Sequence, residues 1–354
     1  SLPRPGGSAR HMDNALSALF PMVLLGCVAA LGVSPLAVRA AASFGLIDVP
    51  GSAPHKTHPA ATPLVGGPVL AIAVAIAYFV ARAPIDRQTQ GILLAGGLVL
   101  GWGLVDDRYR IPPSAKLAGQ LLAAAVLIGY GVEVRITRIP GVDLGLTLLW
   151  VVGMINAFNF VDSMDGLALG LASVATGFFM LVTLDAGQPE LAALSAAILG
   201  AAIGLFFFNA SPARLFLGDS GAQLLGFALA AIGIAYVPAG AGLPQGVSWF
   251  VPILVLGVPI FDSTLVVVSR LRRGRPLYRA QRDHTYHRLV QLGVHPSRSV
   301  LAMHVAAVLL GLLAFVALDL TVLQANLLFG ISLVFGVVGI LLLERSFLSG
   351  TPAA

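Results

Sequence analysis

Charge is what this 354-residue chain has least of. Asp, Glu, Lys and Arg together make up 10% of it, where a soluble globular domain carries about a quarter. The shortage is sharper on the acidic side, with 16 Asp and Glu against 21 Lys and Arg. Cysteine is nearly missing: the single Cys27 lies inside an apolar stretch, so no intrachain disulfide is available. Strict apolar-polar alternation is missing too. The apolar stretches are continuous and about 17–25 residues long, which excludes an outer-membrane barrel. What is there is hydrophobic: 57% of the residues, with a mean hydropathy of +0.91. These features define an all-α polytopic membrane protein. The basic residues follow the ends of the apolar stretches, so no nucleic-acid partner is expected.

Eleven apolar stretches separated by polar breaks read as membrane spans. Their approximate limits are 15–38, 64–82, 90–105, 115–130, 144–160, 166–184, 191–209, 221–237, 247–269, 300–318 and 321–343. Residues 1–11 read as an expression-tag remnant, with Met12 the native start. Residues 12–346 form one integral membrane domain with a cytoplasmic basic, histidine-bearing loop at 270–299, and 347–354 are a tail. With the amino end outside, all but six of the 21 Lys and Arg fall inside, the exceptions being Arg4, Arg10, Arg82, Arg87, Arg135 and Arg138. The positive-inside rule therefore expects the carboxyl end in the cytoplasm.

Four acidic clusters interrupt this oily chain: Asp106-Asp107, Asp162 with Asp165, Asp219, and Asp262 ahead of the histidine-bearing stretch. Carboxylates at membrane depth are costly and mark functional sites. The first three clusters and the basic loop all fall on the cytoplasmic side of the expected topology, whereas Asp262 lies within the ninth span and reads as a supporting residue. Adjacent helical residues point about 100° apart. Asp106 and Asp107 thus address different neighbours, one binding a metal or acting as a base, the other oriented by a group such as Lys116. Asn156, Asn159 and Asp162 recur every third residue and are expected to stack near one helical face, with Asp165 continuing the row before Gly166 turns the chain. Such amides and carboxylates suit a ribose, a uracil edge or a hydrated cation. Asp219 is either the N-cap of the eighth span or a Mg²⁺ ligand. The arginines of the 270–299 loop either anchor to anionic lipid or clamp pyrophosphate. His284 and His287, three apart, share a helical face, and without cysteine company no zinc site is expected. Lys56 and His58 lie in a Pro/Gly-rich loop suited to closing over a phosphate.

In chain order, the loop from Lys56 and His58 to Gly67, Asp106-Asp107, Asn156–Gly166, Phe216–Gly221, Pro259-Ile-Phe-Asp262 and the arginine/histidine loop resemble the polyprenyl-phosphate N-acetylhexosamine-1-phosphate transferases. The likeness runs from about Asp48 to Leu289. His284-Thr-Tyr286-His287 is similar to the His-x-His-His signature of the bacterial undecaprenyl-phosphate GlcNAc-1-phosphate branch, with Tyr286 in place of the middle histidine. The triple-histidine run of the phospho-MurNAc-pentapeptide translocases is absent. The resemblance implies transfer of a sugar-1-phosphate, GlcNAc-1-phosphate first, from a UDP-sugar to undecaprenyl phosphate, releasing UMP at the cytoplasmic face of the bacterial inner membrane. It implies Mg²⁺, with Mn²⁺ as a substitute, and homodimerisation. It implies catalytic roles for Asp106, Asp107, Asp162, His284 and His287, and metal binding by Asp219 and Asp107. Lys56, His58, Asn156, Asn159, Asp165, Phe216 and Arg282 would bind substrate. The alternatives are a pentapeptide-translocase-type or other UDP-hexosamine transferase or, from another class, a cation-coupled secondary transporter. A transporter expects carboxylates near mid-span and an internal repeat; the carboxylates here sit at span ends, and no repeat is visible.

Overall fold

A computed structural model describes residues 6–50, 61–137, 139–238, 249–276 and 283–349, with side chains described between 16 and 345. Among the described residues the chain forms α1 (Gly6–Phe44), α2 (Gly66–Ala81), α3 (Arg87–Tyr109), α4 (Pro113–Gly129), α5 (Pro140–Val161), α6 (Leu167–Asp185), α7 (Pro189–Asn209) and α8 (Gly218–Ala235). There follow α9 (Phe250–Val255), α10 (Gly257–Arg272), α11 (Thr285–Gln291), α12 (Pro296–Val316) and α13 (Val322–Ser349). A short antiparallel pair, β1 (Ile47–Asp48) with β2 (Thr62–Pro63), closes the connection between α1 and α2.

Eight of these helices, α1, α3, α5, α6, α7, α8, α12 and α13, are long and apolar enough to cross a membrane, while α2 and α4 are apolar but shorter. The ninth expected span is corrected: it is broken into α9 and α10 around Leu256. Pro259 explains the break, because it has no N–H for the carbonyl of Val255, four residues back, and its ring crowds that carbonyl. α9 ends at that residue.

The bundle is built around α7 and α8, whose apolar windows are 72% and 83% buried, against 0% for α13. Lipid supplies no hydrophobic drive for helices to associate, so close packing must do so. α1 lies directly on α7 because Gly204 lets the backbones meet; a Cβ there would stand 2.6 Å from the carbonyl oxygen of Cys27. Between α2, α3, α7 and α8 lies an apolar cavity of about 510 Å³, lined by residues such as Leu70, Tyr78, Leu100 and Phe227. It is a greasy cleft below the polar end of the bundle and offers little to an anionic ligand.

Candidate active site

The carboxyl end of α3, the amino ends of α4 and α8 and the carboxyl end of α5 meet at one end of the bundle, and the acidic clusters meet there with them. α3 stops at Tyr109, and Arg110, in the left-handed region at φ 53°, reverses the chain. Pro113 then begins α4 at a position where its missing N–H costs nothing. That tight return brings Lys116 of α4 back onto Asp106 of α3, where the two form an ion pair. Asp106 is 2% exposed and also accepts from the Ile111 N–H at 3.1 Å. The same ammonium reaches Asp219 of α8 at 3.1 Å. Asp219 further hydrogen-bonds the Asn159 side chain, and at 32% side-chain exposure it is the open member of the group.

Asp107 points elsewhere, as the helical geometry requires. Its Oδ1 accepts the N–H of Asp219 at 2.7 Å and its Oδ2 that of Ser220 at 3.1 Å. Of the two readings of Asp219, the helix cap is set aside: Asp107 caps α8 from α3 and leaves the Asp219 carboxylate clear of that task. Orphan N–H groups and the positive end of the helix dipole both favour an anion there. Gly218 makes the approach feasible, since a Cβ on it would lie 2.8 Å from Asp107 Oδ2 and its φ is +74°.

α5 ends at Val161, so the expected single row from Asn156 to Asp165 is also corrected. Asn159 faces Asp219, while Asp162 follows the helix end. Burial, then the negative charges of Asp219, Asp107 and Asp165, push the Asp162 carboxyl up to about 8. Asp165 turns toward the α7–α8 connection, where it accepts the Ala213 N–H at 3.1 Å. Asn209, which sequence reasoning missed, fastens the same turn by accepting the Gly166 N–H (3.0 Å) and donating to the Leu215 carbonyl (3.1 Å).

Asn156 lies one turn deeper than Asn159, in a layer of amides. It donates to Gln120 Oε1 at 2.9 Å, and Gln120 donates to Gln223 Oε1 at 3.4 Å. Gln120 is four residues after Lys116 and Gln223 four after Asp219, so α4, α5 and α8 each contribute one group to a charged layer and one to the amide layer beneath it. Both glutamines are buried and were missed; their i+4 spacing from Lys116 and Asp219 was the available signal. Gln223→Leu is expected to lower stability by about 1 kcal/mol, read as thermal melting in detergent. Unchanged melting would show that the amides do not fasten these helices.

The histidines join from the other side of the Asp162–Asp165 turn. Asp262, buried in α10, holds His284 Nδ1 at 2.9 Å and accepts the Thr285 N–H at 2.6 Å, which makes it the supporting residue expected. The His284 ring lies 6.0 Å from that of Phe160 and 6.2 Å from that of His287. Tyr286 donates to the Ser163 carbonyl at 3.2 Å, and its oxygen also meets His287 Nε2. The tyrosine thus docks α11 onto the turn that carries Asp162. Phe216, half-buried, joins the site's rim to β2: its N–H donates to the Pro63 carbonyl at 2.8 Å and its carbonyl accepts from Gly66 at 3.1 Å. Lys56, His58 and Arg282 lie outside the described residues.

The arginine loop needs a correction as well. Arg270 binds Asp283 through two nitrogens at 2.9 and 3.0 Å, and Arg288 and Arg273 bind Glu344 at 2.7 and 3.4 Å. These three guanidiniums hold the protein together and are not phosphate clamps. The Asp283 carboxyl is correspondingly held below the usual carboxylate range, against its burial, by Arg270.

Asp106 and Asp219 therefore share one ammonium, Lys116, and the charges of Asp107 and Asp162 act on the same group. Among the described residues no three His, Cys, Asp or Glu side chains close into a protein-only metal cage. The donors are hard oxygens, one of them open, with uncompensated negative charge beside it. That fits a Mg²⁺ held by one or two carboxylates and completed by phosphates.

Fold and site together define a polytopic membrane protein whose polar chemistry is gathered at one end of a helical bundle. Residues 89–237 match the glycosyl transferase family 4 model. The chain is 27% identical over 323 residues to a Bacillus subtilis protein named "Probable undecaprenyl-phosphate N-acetylglucosaminyl 1-phosphate transferase", covering 88% of each chain. It is 32% identical over 322 residues to the decaprenyl-phosphate N-acetylglucosaminephosphotransferase of Mycolicibacterium smegmatis, covering 80% of this chain and 76% of that one. A phospho-N-acetylmuramoyl-pentapeptide-transferase of Shouchella clausii is 34% identical over 240 residues, 60% of this chain and 73% of its own. The chain belongs to glycosyl transferase family 4 and is a membrane phosphoglycosyltransferase.

Proposed function

We propose that the chain transfers GlcNAc-1-phosphate from UDP-GlcNAc to undecaprenyl phosphate, giving undecaprenyl-pyrophosphoryl-GlcNAc and UMP, at the cytoplasmic face of the bacterial inner membrane. The observation that carries this reading is the Lys116–Asp219–Asp106 group with Asn159, gathered at one end of the helical bundle. Eleven crossings, with the amino end outside and the carboxyl end in the cytoplasm, agree with the distribution of Lys and Arg. The names of the relatives support the carrier and the sugar.

In this reaction an oxygen of the lipid phosphate forms a bond to the sugar-bearing β-phosphorus, and the bond from that phosphorus to the bridging oxygen breaks, leaving UMP. Every reactant is anionic, so positioning and charge neutralisation supply most of the rate. Asp219, with Asp107 and the charge of Asp162 close by, would hold Mg²⁺ (or Mn²⁺), which when bound neutralises the diphosphate. Lys116 adds the second positive charge between Asp106 and Asp219. Asp107 keeps α8 and its carboxylate in place, and Asp106 sets the lysine. Asn159, beside Asp219, would meet the nucleotide; Asp165 would act through the turn it fastens, and Asn156 through the amide layer beneath. His284 and His287 would meet the sugar and phosphates with Phe216 at the rim, and Lys56, His58 and Arg282 are proposed as substrate-binding from the sequence resemblance alone. The nucleophile is already a phosphate, so a strong base is unnecessary.

The test is UMP release from UDP-GlcNAc by the purified chain in detergent with undecaprenyl phosphate. Release is expected with Mg²⁺ and not with excess EDTA, and Mg²⁺ or Mn²⁺ added back should restore it. Release that survives EDTA would remove the metal from the reading. The pentapeptide-transferase relative gives a second reading of the donor, and UDP-MurNAc-pentapeptide is its arm in the same assay.

A further inference from the structure

We infer that Glu344, at the end of the last helix, is a positioning residue for the histidine-bearing helix α11; its role in turnover rests on the transfer reaction proposed above. The apolar window of α13 is 0% buried, yet Glu344 near its end is 1% exposed. It sits there because it meets two arginines. Oε2 accepts from Arg288 Nη1 at 2.7 Å and Oε1 from Arg273 Nη2 at 3.4 Å, while the neighbouring Leu343 carbonyl accepts from Arg288 Nη1 at 3.1 Å.

Arg288 belongs to α11. With seven residues, that helix is too short to hold its shape unaided. Its form is borrowed from side chains. Arg288 Nε donates to the Asp283 carbonyl at 3.1 Å, the Asp283 carboxylate holds Arg270 of α10, and His284 is held by Asp262 of the same helix. The amino end of α11 is thereby fixed to α10, and its face is fixed to α13 through Arg288 and Glu344. Arg288 follows His287 directly and lies one helical turn from His284, so any shift of the arginine moves both histidines.

A buried guanidinium is tolerated only while paired. Without Glu344, Arg288 leaves its place or remains uncompensated, and α11 moves with it. Among the described contacts Glu344 touches none of Asp106, Asp107, Lys116 and Asp219. Its loss is therefore expected to act through the histidines and to spare cation binding at the carboxylates.

The experiment compares wild type, Glu344→Gln, His287→Ala and the double variant, all full-length in one detergent. The first readout is backbone amide hydrogen exchange over residues 285–291, which needs no activity. Faster exchange there in Glu344→Gln, with α3 and α8 unchanged, is expected; identical exchange overturns the inference. The second is turnover with UDP-GlcNAc, undecaprenyl phosphate and Mg²⁺. Glu344→Gln should be slower by roughly 10- to 100-fold, the scale of a misplaced catalytic group, and the double variant no slower than His287→Ala. Losses that multiply, or a fully active His287→Ala, overturn it. Should Glu344→Gln not fold, Arg288→Met with Glu344→Leu removes the fully buried Arg288–Glu344 pair and leaves only the partly exposed Arg273; folded protein with slow turnover is then expected, and wild-type turnover overturns the inference. A wild type that releases no UMP while the exchange effect stands would sink the transfer reading and leave the tether.

Discussion

Replacing Asp219 by Asn is expected to abolish UMP release while leaving the protein folded. Asp219 is the open carboxylate of the cluster, and an amide oxygen is a far weaker ligand for a hard cation than a carboxylate. Losing several kcal/mol of charge stabilisation at the transferring phosphoryl group corresponds to a fall on the order of 10³-fold. The fold should survive, because α8 is capped by Asp107 through backbone N–H groups that the substitution leaves untouched. Lys116 keeps its other partner, Asp106. The check is UMP release alongside thermal melting: a melting curve like that of wild type with no turnover is expected, and an active Asp219→Asn enzyme would remove Asp219 as the principal ligand.

Lys116→Met has the second largest effect, and it separates two roles that the lysine combines. Its ammonium balances Asp106 and Asp219, and in the proposed reaction it also lies beside the diphosphate. Removing it leaves two carboxylates facing each other and is expected to destabilise the cation-free protein by about 1–3 kcal/mol, the scale of a lost charged hydrogen bond. A divalent cation can replace the missing charge, so Mg²⁺ should raise the melting temperature of Lys116→Met more than that of wild type. Turnover should still be down on the order of 10²-fold at saturating Mg²⁺, because the cation does not take the lysine's place beside the phosphates. A variant restored to full turnover by Mg²⁺ would reduce Lys116 to charge balance alone.

How much of this was legible in the sequence follows from the range of each interaction. Apolar stretches announce helices because their signal is local, and the ends of those stretches located Asp106, Asp219 and the Asp162–Asp165 turn. The orienting part of Lys116 was visible from its ten-residue return to Asp106. The cap that Asp107 places on α8 was not, since it spans 112 residues and nothing local distinguishes a capping carboxylate from a catalytic one. The arginine loop misled for the same reason. Charge counting sees arginines near a membrane end, while their partners, Asp283 and Glu344, stand 13, 56 and 71 residues away. Pro259 stands within the ninth apolar stretch, but composition alone cannot distinguish a kinked span from a straight one. Gln120 and Gln223 carry only their i+4 spacing from Lys116 and Asp219 as a signal. Their meaning needs three helices in register, and register is a tertiary fact.

The claim that carries most weight is that phosphorus moves together with the sugar. UDP-GlcNAc labelled with ³²P at the β-position, incubated with the purified chain, undecaprenyl phosphate and Mg²⁺, tests it directly. The expected result is label in the lipid fraction, in equal amount to the sugar, with unlabelled UMP left in water. Label remaining in water as UDP, with sugar alone on the lipid or no sugar transferred at all, would contradict it.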